Sequence, residues 1–490
     1  MHKLWIMKNA LKIYGKLIIG IGLLFIPSTG RTIEQIKISE PSASIVVDSA
    51  LSAEIHRQLL SNELNLYYPN SVKRFYQKSN FTSPWLKPQS GTGSTWQAML
   101  MIDCVLQFGL SHDDYHPHEL VYAELHSIFE KPGIISIQKQ ARFDIMLTDA
   151  MINFINNLHF GKLNPDFPPA TIDNASTGFS AVDALTGALG QNDFMTAIGN
   201  VQPKSKEYED MQDHMRQWTG QYTGDCYEVP ENSIRKLAIN MERLRWANVD
   251  SGAYIQINIP SYTLNLYEPD STYNFKVVVG KPENPSPTLQ SQINYFTTAP
   301  EWKVPNKIFR KELLPKALAN PSYLENNHYA LYDNKGGYIE PTAANLSLIK
   351  QNPKKYRATQ SSGCDNALGL VVFRFPNMYD VYLHDTPEQQ LFKKDTRDFS
   401  HGCIRVENAE NLAALLLKYD NATNKIPALH KAIAKYQTLN FNLAKPVPIK
   451  ITYLTCIVKE GAVLDYNDIY DLDNRLEMIF YNVTTQFATR

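Results

Sequence analysis

The chain has 490 residues, too many for one ordinary hydrophobic core, and 43% of them are apolar, too many for a disordered or collagen-like chain. With 48 Lys and Arg against 49 Asp and Glu the formal net charge is −1, which argues against a polyanion-binding protein, so no nucleic-acid partner is expected. Five cysteines in so long a chain cannot be a disulfide scaffold, and their odd number leaves at least one thiol without an intrachain partner.

The first thirty residues read as an address. Lys3, Lys8, Lys12 and Lys16 precede an apolar-plus-glycine run, Leu17–Ile26, with small residues at Ser28 and Gly30. This pattern fits an export signal, or an uncleaved anchor if Ile13 and Tyr14 extend the run. A buried N-terminal helix is the competing reading. No cysteine follows the run closely, so a lipoprotein is not expected. The body of the protein is expected outside the cytoplasm, in the periplasm or cell envelope.

Residues 31–60 read as a mixed linker, and 61–250 as mainly helical. Met99, Ile102, Leu106 and Leu110 share one helical face, as do Leu147, Met151, Phe154, Ile155 and Leu158, with Gly161 placed to end that helix. Ser233 is a candidate N-cap for a helix that turns Ile234, Leu237, Met241 and Leu244 inward. The texture changes near Val249–Gly252. Tyr254–Ile259, Tyr262–Tyr267 and Phe275–Val279 alternate as strands, with Glu268–Ser271 as a turn and the proline-rich Lys281–Pro287 as a loop. Val371–Phe375 and Asp380–Leu383 are further strands, divided by Pro376 and Asn377, and a helix starting at Asn408 turns Leu412, Leu415 and Leu416 inward. The expected fold class is α+β, a mainly helical N-terminal domain followed by a β-rich domain over 251–475 and a tail over 476–490. No internal repeat is evident.

The chemistry gathers at Tyr382–Pro387 and Asp398–Val406. A thiol becomes a strong nucleophile only as a thiolate, and an imidazole within reach can take its proton. Cys403 has two candidate bases, His384 at the end of a strand and His401 two positions before it. His401 is too close in sequence to aim its ring easily at the sulfur, which favours His384. Gly402 lets successive N–H groups turn toward one spot, where they would hold an oxyanion. Arg405 offers a forked cation for a substrate carboxylate. Cys104 reads as core and Cys226, Cys364 and Cys456 as structural, with Cys364 in a polar loop near enough to line the site.

At these residues the sequence resembles the YkuD-type L,D-transpeptidases, in the larger branch that carries a helical scaffold domain. The resemblance extends to Val277–Pro282, Ala299–Pro305, Asp365–Gly369 and Phe375–Asn377, to Leu106–Tyr115, Leu147–Pro165 and Asn240–Trp246 in the helical half, and to Asp468–Tyr470. It implies a β-sandwich-like catalytic domain beside the scaffold, with residues of about 306–357 as a lid-like insertion. It implies that Cys403 attacks the carbonyl of the third residue of a peptidoglycan tetrapeptide stem and expels D-alanine. The acyl group then passes to a side-chain amine of a second stem, giving a three-to-three cross-link. His384 matches the base, and His401, Gly402 and Cys403 the oxyanion segment. Arg405, Asn366, Asp385, Tyr382 and Ser400 are the expected substrate-binding residues, with Asp385 or its carbonyl orienting the imidazole. No metal or cofactor is implied. Acylation of Cys403 by carbapenems is implied, and cell-wall synthesis proteins are possible partners. One departure stands out: Val201–Tyr222 runs almost directly into the Asn240–Trp246 helix, where this branch often inserts a small peptidoglycan-binding module.

Other chemistries fit less well. Ser233 and Ser347 each head a Ser-x-x-Lys, but no Lys-Thr-Gly or Ser-Asp-Asn accompanies them. There is no His-Glu-x-x-His, and His116 and His118 read as surface residues. Only His430 follows Cys403, which does not suit a papain-like protease. Two rivals remain: an L,D-carboxypeptidase that releases the same acyl-enzyme to water, and a catalytically dead wall-binding scaffold.

Overall fold

The structure, a computed structural model, describes residues 43–86, 92–221, 230–247 and 252–481. The address segment, Cys226 and all but Gly252 of the expected domain junction at Val249–Gly252 lie outside the described residues. The chain divides into two units, Met1–Val46 and Val47–Arg490; all that follows concerns the second. Among the described residues no helix is long and apolar enough to cross a membrane.

The helical region is organised around Ile137–His159, capped by the Ser136 hydroxyl, which accepts from the Lys139 N–H at 3.4 Å. This helix is buried on nearly every side from Phe143 to Leu158, as a helix surrounded by others must be. Its few polar residues are therefore spent on neighbours. Asp149 accepts from the Tyr67 and Tyr68 N–H groups at 2.8 and 2.9 Å and faces His116 Nε2 at 2.7 Å. His116, expected at the surface, is thus buried, because a carboxylate this deep needs every donor it can reach. Gly161 ends the helix with φ +88°, and a Cβ there would meet Glu242 Oε1 at 2.6 Å, so only glycine fits.

Four local expectations change. The apolar face of Met99 to Leu110 is not one helix: Thr92–Asp103 stops, and Val105–Phe108 continues as a 3-10 turn. Cys104 falls at that break and is half-buried rather than core. Ser233 lies inside Asn232–Trp246, whose N-cap is Glu231, and its hydroxyl donates to the Glu231 carboxylate. Part of the expected linker is helical, Ala43–Ser61, since Leu51, Ile55 and Leu59 recur every four residues and reach the helical core.

The β-rich region is one sheet that closes on itself. Its strands are β1 (Tyr254–Asn258), β2 (Thr263–Glu268), β3 (Ser271–Gly280) and β4 (Leu289–Thr298). An insertion follows, with its own sheet of β5 (Trp302–Lys303), β6 (Tyr329–Asp333), β7 (Tyr338–Ile339) and β8 (Tyr356–Gln360). The main sheet resumes with β9 (Val371–Arg374), β10 (Leu383–His384), β11 (Asp398–Ser400), β12 (Ile404–Val406) and β13 (Leu439–Thr452). The order is β11-β3-β12-β10-β9-β4-β13-β1-β2, and β2 pairs back to β3. The sandwich-like expectation thus takes the form of a closed sheet. Alternate residues such as Ile257, Leu264, Val277, Phe373, Leu383 and Ile404 fill its interior. The helix Ala409–Tyr419 adds Leu412, Leu415 and Leu416 to the same core.

The insertion has a separate small core of Phe309, Leu313, Leu324, Leu331, Leu346 and Ile349. Phe309–Leu313 forms a π turn just before Pro315, which has no N–H to continue a regular helix ladder. The chain then returns to its first half. A hairpin of β14 (Cys456–Lys459) and β15 (Ala462–Asp465) and the helix Asp473–Tyr481 place Cys456, Val458, Phe480 and Tyr481 in the helical core. The stretch expected as a tail is, up to Tyr481, part of that helix.

Candidate active site

Strand register alone brings the motif residues together. β10 pairs in parallel with β12, Leu383 beside Ile404 and His384 beside Arg405. One step earlier, Tyr382 falls beside Cys403, and the Tyr382 carbonyl accepts from the Ile404 N–H at 3.1 Å. Leu383 and Ile404 point into the core, so alternation turns Tyr382, His384, Cys403 and Arg405 to the opposite face. Cys403 and His384 are diagonal neighbours there, roughly 7–8 Å apart at Cα. All four line one cleft of about 370 Å³, roofed by Lys307, Glu312 and Tyr329 of the insertion.

His384 is 6% exposed. Its Nδ1–H donates to the Asp385 carbonyl at 2.5 Å, and the Leu368 backbone makes a second hydrogen bond to the ring. The alternative left open for Asp385 thus resolves to its backbone carbonyl. The Asp385 carboxylate accepts from the Leu370 N–H at 2.9 Å and from Gln389 at 3.1 Å, and it is absent from the cleft wall. Burial, reinforced by the Arg405 charge, pushes the His384 imidazole down to about 3.

Burial also pushes the Cys403 thiol up, while the Tyr382 backbone and phenol and the Arg374 charge pull it down. Among the described residues no hydrogen bond joins Sγ to the His384 ring. The resting pair is a neutral thiol beside a neutral imidazole, not the preformed ion pair that the motif suggests. The residues share a face and a cleft, and such contacts commonly tighten only around substrate.

Gly402 has φ +116°, but its N–H donates to Ser400 Oγ at 3.1 Å. The Ser400 hydroxyl in turn donates to the Cys403 carbonyl, and Ser286 Oγ donates to the Gly402 carbonyl at 2.7 Å. Ser400 therefore shapes the turn rather than presenting its hydroxyl to substrate, and Gly402 is not an open oxyanion donor. Asn366 is fully buried, with Nδ2 on the Pro300 and Ser361 carbonyls and Oδ1 on the Leu368 N–H. It braces a loop and does not reach the cleft. Cys364 is exposed and outside the cleft wall. His401 turns its Nε2 to Glu312 Oε1 of the insertion at 2.5 Å, away from a base's position. Arg405 is held by Glu388 through Nη1, while its Nε is buried without a partner.

Several residues of the site had no signal in the motif. Trp302 lines the cleft. A second cleft of about 760 Å³ shares Trp302, Pro305, Asp380, Val381 and Tyr382 with the first and adds Arg374. A charged residue closing an otherwise apolar strand, Val371–Arg374, is the one trace that could have marked it.

Residues 252–432 match the family model of the YkuD L,D-transpeptidase catalytic domain, and residues 70–215 that of a scaffold domain. A Haemophilus influenzae protein named "Putative L,D-transpeptidase" is 32% identical over 252 residues, 51% of this chain and 50% of that protein. The match thus spans half the length of that relative. An L,D-transpeptidase from Mycobacterium smegmatis is 14% identical over 42% of this chain and 60% of its own, with a TM-score of 0.18. L,D-transpeptidase 1 of Mycobacterium tuberculosis is 13% identical over 41% and 60%, with a TM-score of 0.16. Neither likeness carries an argument about this fold, which stands on its strand order.

Proposed function

This chain carries a YkuD L,D-transpeptidase catalytic domain together with a scaffold domain, and we propose that it cross-links peptidoglycan stems through Cys403. The observation that carries this reading is the register that turns Tyr382, His384, Cys403 and Arg405 onto one face of one cleft.

The donor tetrapeptide lies in the first cleft, under the insertion. As Sγ bonds to the carbonyl carbon of the third residue, its proton passes to the His384 ring. The carbonyl oxygen becomes an oxyanion beside the Cys403 N–H, and the Gly402 N–H joins it only if Ser400 lets go. Collapse breaks the bond to D-alanine, whose amine takes the proton back from His384. A thioester to Cys403 remains. The side-chain amine of a second stem then attacks it, gives a proton to His384, and releases the sulfur, which recovers that proton. Arg405 Nε is the open donor for a substrate carboxylate or carbonyl. This assignment makes His384 a base acting during attack, because burial keeps both partners neutral beforehand.

The second cleft supports transfer to an amine over release to water. It meets the first at Trp302 and Tyr382, giving an acceptor its own approach to the thioester. The same sulfur is the expected site of acylation by carbapenems. Export to the periplasm or cell envelope, by the segment over residues 1–30, belongs to this reading, as do cell-wall synthesis proteins as partners. The domain plan proposed is a helical scaffold completed by the C-terminal return and a catalytic domain from 252 onward.

The test is mass spectrometry of the products after the purified full chain meets a disaccharide tetrapeptide. A cross-linked dimer with released D-alanine is expected. Tripeptide monomer would replace the transferase with a carboxypeptidase, and unchanged substrate would leave a dead scaffold.

A further inference from the structure

The face that carries Cys403 also carries a cation that the reaction above does not use. β9 runs antiparallel to β10, with Leu383 opposite Phe373 and His384 opposite Val372. One step on, Tyr382 falls opposite Arg374, while on its other side it falls beside Cys403. Three adjacent strands therefore set Arg374, Tyr382 and Cys403 in a row. Phe373, Leu383 and Ile404 of the same strands are buried in the core, so the row faces outward together. The Arg374 guanidinium lies over the Tyr382 ring, 5.0 Å from its centroid. The Tyr382 ring in turn stands 5.7 Å from the His384 ring. The cation thus sits on an aromatic ring that neighbours both members of the proposed thiol–imidazole pair, Cys403 by register and His384 by ring contact.

We propose that Arg374 is a positioning residue, whose guanidinium holds the Tyr382 phenol against the Cys403 sulfur and favours the thiolate as it forms. The proposal rests on Cys403 being the nucleophile. A cation on the face of a phenol ring withdraws electron density and makes its O–H a better donor. A phenol fixed in place loses little entropy when it donates to the growing charge on sulfur, and the guanidinium charge acts in the same direction. Among the neighbouring charges, Arg374 favours the thiolate and Asp380 opposes it. Arg405 and His401 lie in the cysteine's own segment, and Lys307 and Glu312 reach the cleft from the insertion. Among the described residues Arg374 is the cation stacked on the Tyr382 ring, while Trp302 meets the phenol itself. Its side chain is otherwise exposed, so removing it leaves no buried charge unpaired and the fold should persist.

The experiment measures the rate at which iodoacetamide alkylates Cys403 as a function of pH, in the full chain and in Arg374→Gln and Arg374→Lys. The Cys403→Ala protein supplies the background from the other cysteines. Arg374→Gln should move the thiol titration up by roughly half a unit and slow alkylation about threefold near neutral pH. Arg374→Lys, which keeps the charge, should recover part of that shift. With tetrapeptide as substrate, kcat should fall and KM stay nearly constant. Superimposable alkylation profiles for the full chain and Arg374→Gln would overturn the proposal, as would a Lys variant no better than Gln. The alkylation arm needs no peptidoglycan chemistry. If the unmodified chain gives no product from tetrapeptide, the functional reading fails while the role of Arg374 is still decided.

Discussion

Two buried histidines, one in each half of the protein, show what a partner does to an imidazole. In the helical region His116 Nε2 lies 2.7 Å from the Asp149 carboxylate, which also gathers two backbone N–H groups from Tyr67 and Tyr68. In the β-rich region His384 meets not the Asp385 carboxylate but the Asp385 carbonyl, while the carboxylate is diverted to Leu370 and Gln389. A carboxylate beside an imidazole closes a buried structural contact. A carbonyl orients the ring but brings no charge, so burial leaves the ring neutral. The first arrangement ties a helix to its neighbours, and the second keeps an uncharged ring in the cleft beside Cys403.

The comparison breaks most sharply at the sulfur. Cys403→Ala should abolish both dimer and tripeptide formation from a tetrapeptide while leaving the melting temperature nearly unchanged, since the side chain is half-buried and the role is chemical. Product from that variant would remove the cysteine from the chemistry. Next in size, His384→Ala should cost roughly 10²–10⁴ in kcat. The pH profile of the unmodified chain sharpens this. A base whose pKa is pushed down to about 3 stays deprotonated through the mildly acidic range and is lost only as pH falls through that value. Log kcat/KM should therefore stay level from about pH 8 down to about pH 5. An acid limb near 6.5, the ordinary histidine value, would mean the ring is not held neutral by burial.

The third test exchanges the two histidines' roles. His116→Ala leaves a fully buried Asp149 short of one partner, and breaking a buried pair in this way costs about 3–5 kcal/mol of stability. Urea unfolding should show that loss, while turnover per folded molecule remains. A His116 variant that stays stable but loses turnover would undo the division of labour between the regions.

How much of this could be read from the chain follows from the range of the interactions. That Cys403 and His384 share one cleft is legible because they lie on one strand pair. Gly161 is legible as a local helix stop. What escapes is set by distant partners. His116 reads as surface until Asp149 arrives from another helix, and Asn366 reads as a cleft residue until the Pro300 carbonyl claims it. Ser400 and Gly402 look available for substrate until their mutual hydrogen bond is seen. Val458 reads as the end of the catalytic domain and Phe480 as tail, but both are buried in the helical core. Arg374 escapes because register across three strands, not spacing along one, sets it beside Tyr382.

The smallest effect expected lies at His401, and it tests whether nearness in sequence was rightly discounted. Its ring lies 2.5 Å from Glu312 at Nε2, a half-exposed tie between the cysteine's segment and the insertion. A half-exposed hydrogen bond is worth about 1 kcal/mol or less, so losing this one should change activity by at most about fivefold. His401→Gln keeps a donor for Glu312 and should do less harm than His401→Ala. The change should appear in KM, because the tie steadies the roof over the donor stem and does not handle a proton. The acid side of the pH profile should stay where the unmodified chain has it, since His384 still supplies the base. A loss at His401 as large as that at His384, with the acid limb moved, would transfer the base to the residue beside the cysteine and leave His384 as a buried structural ring, like His116.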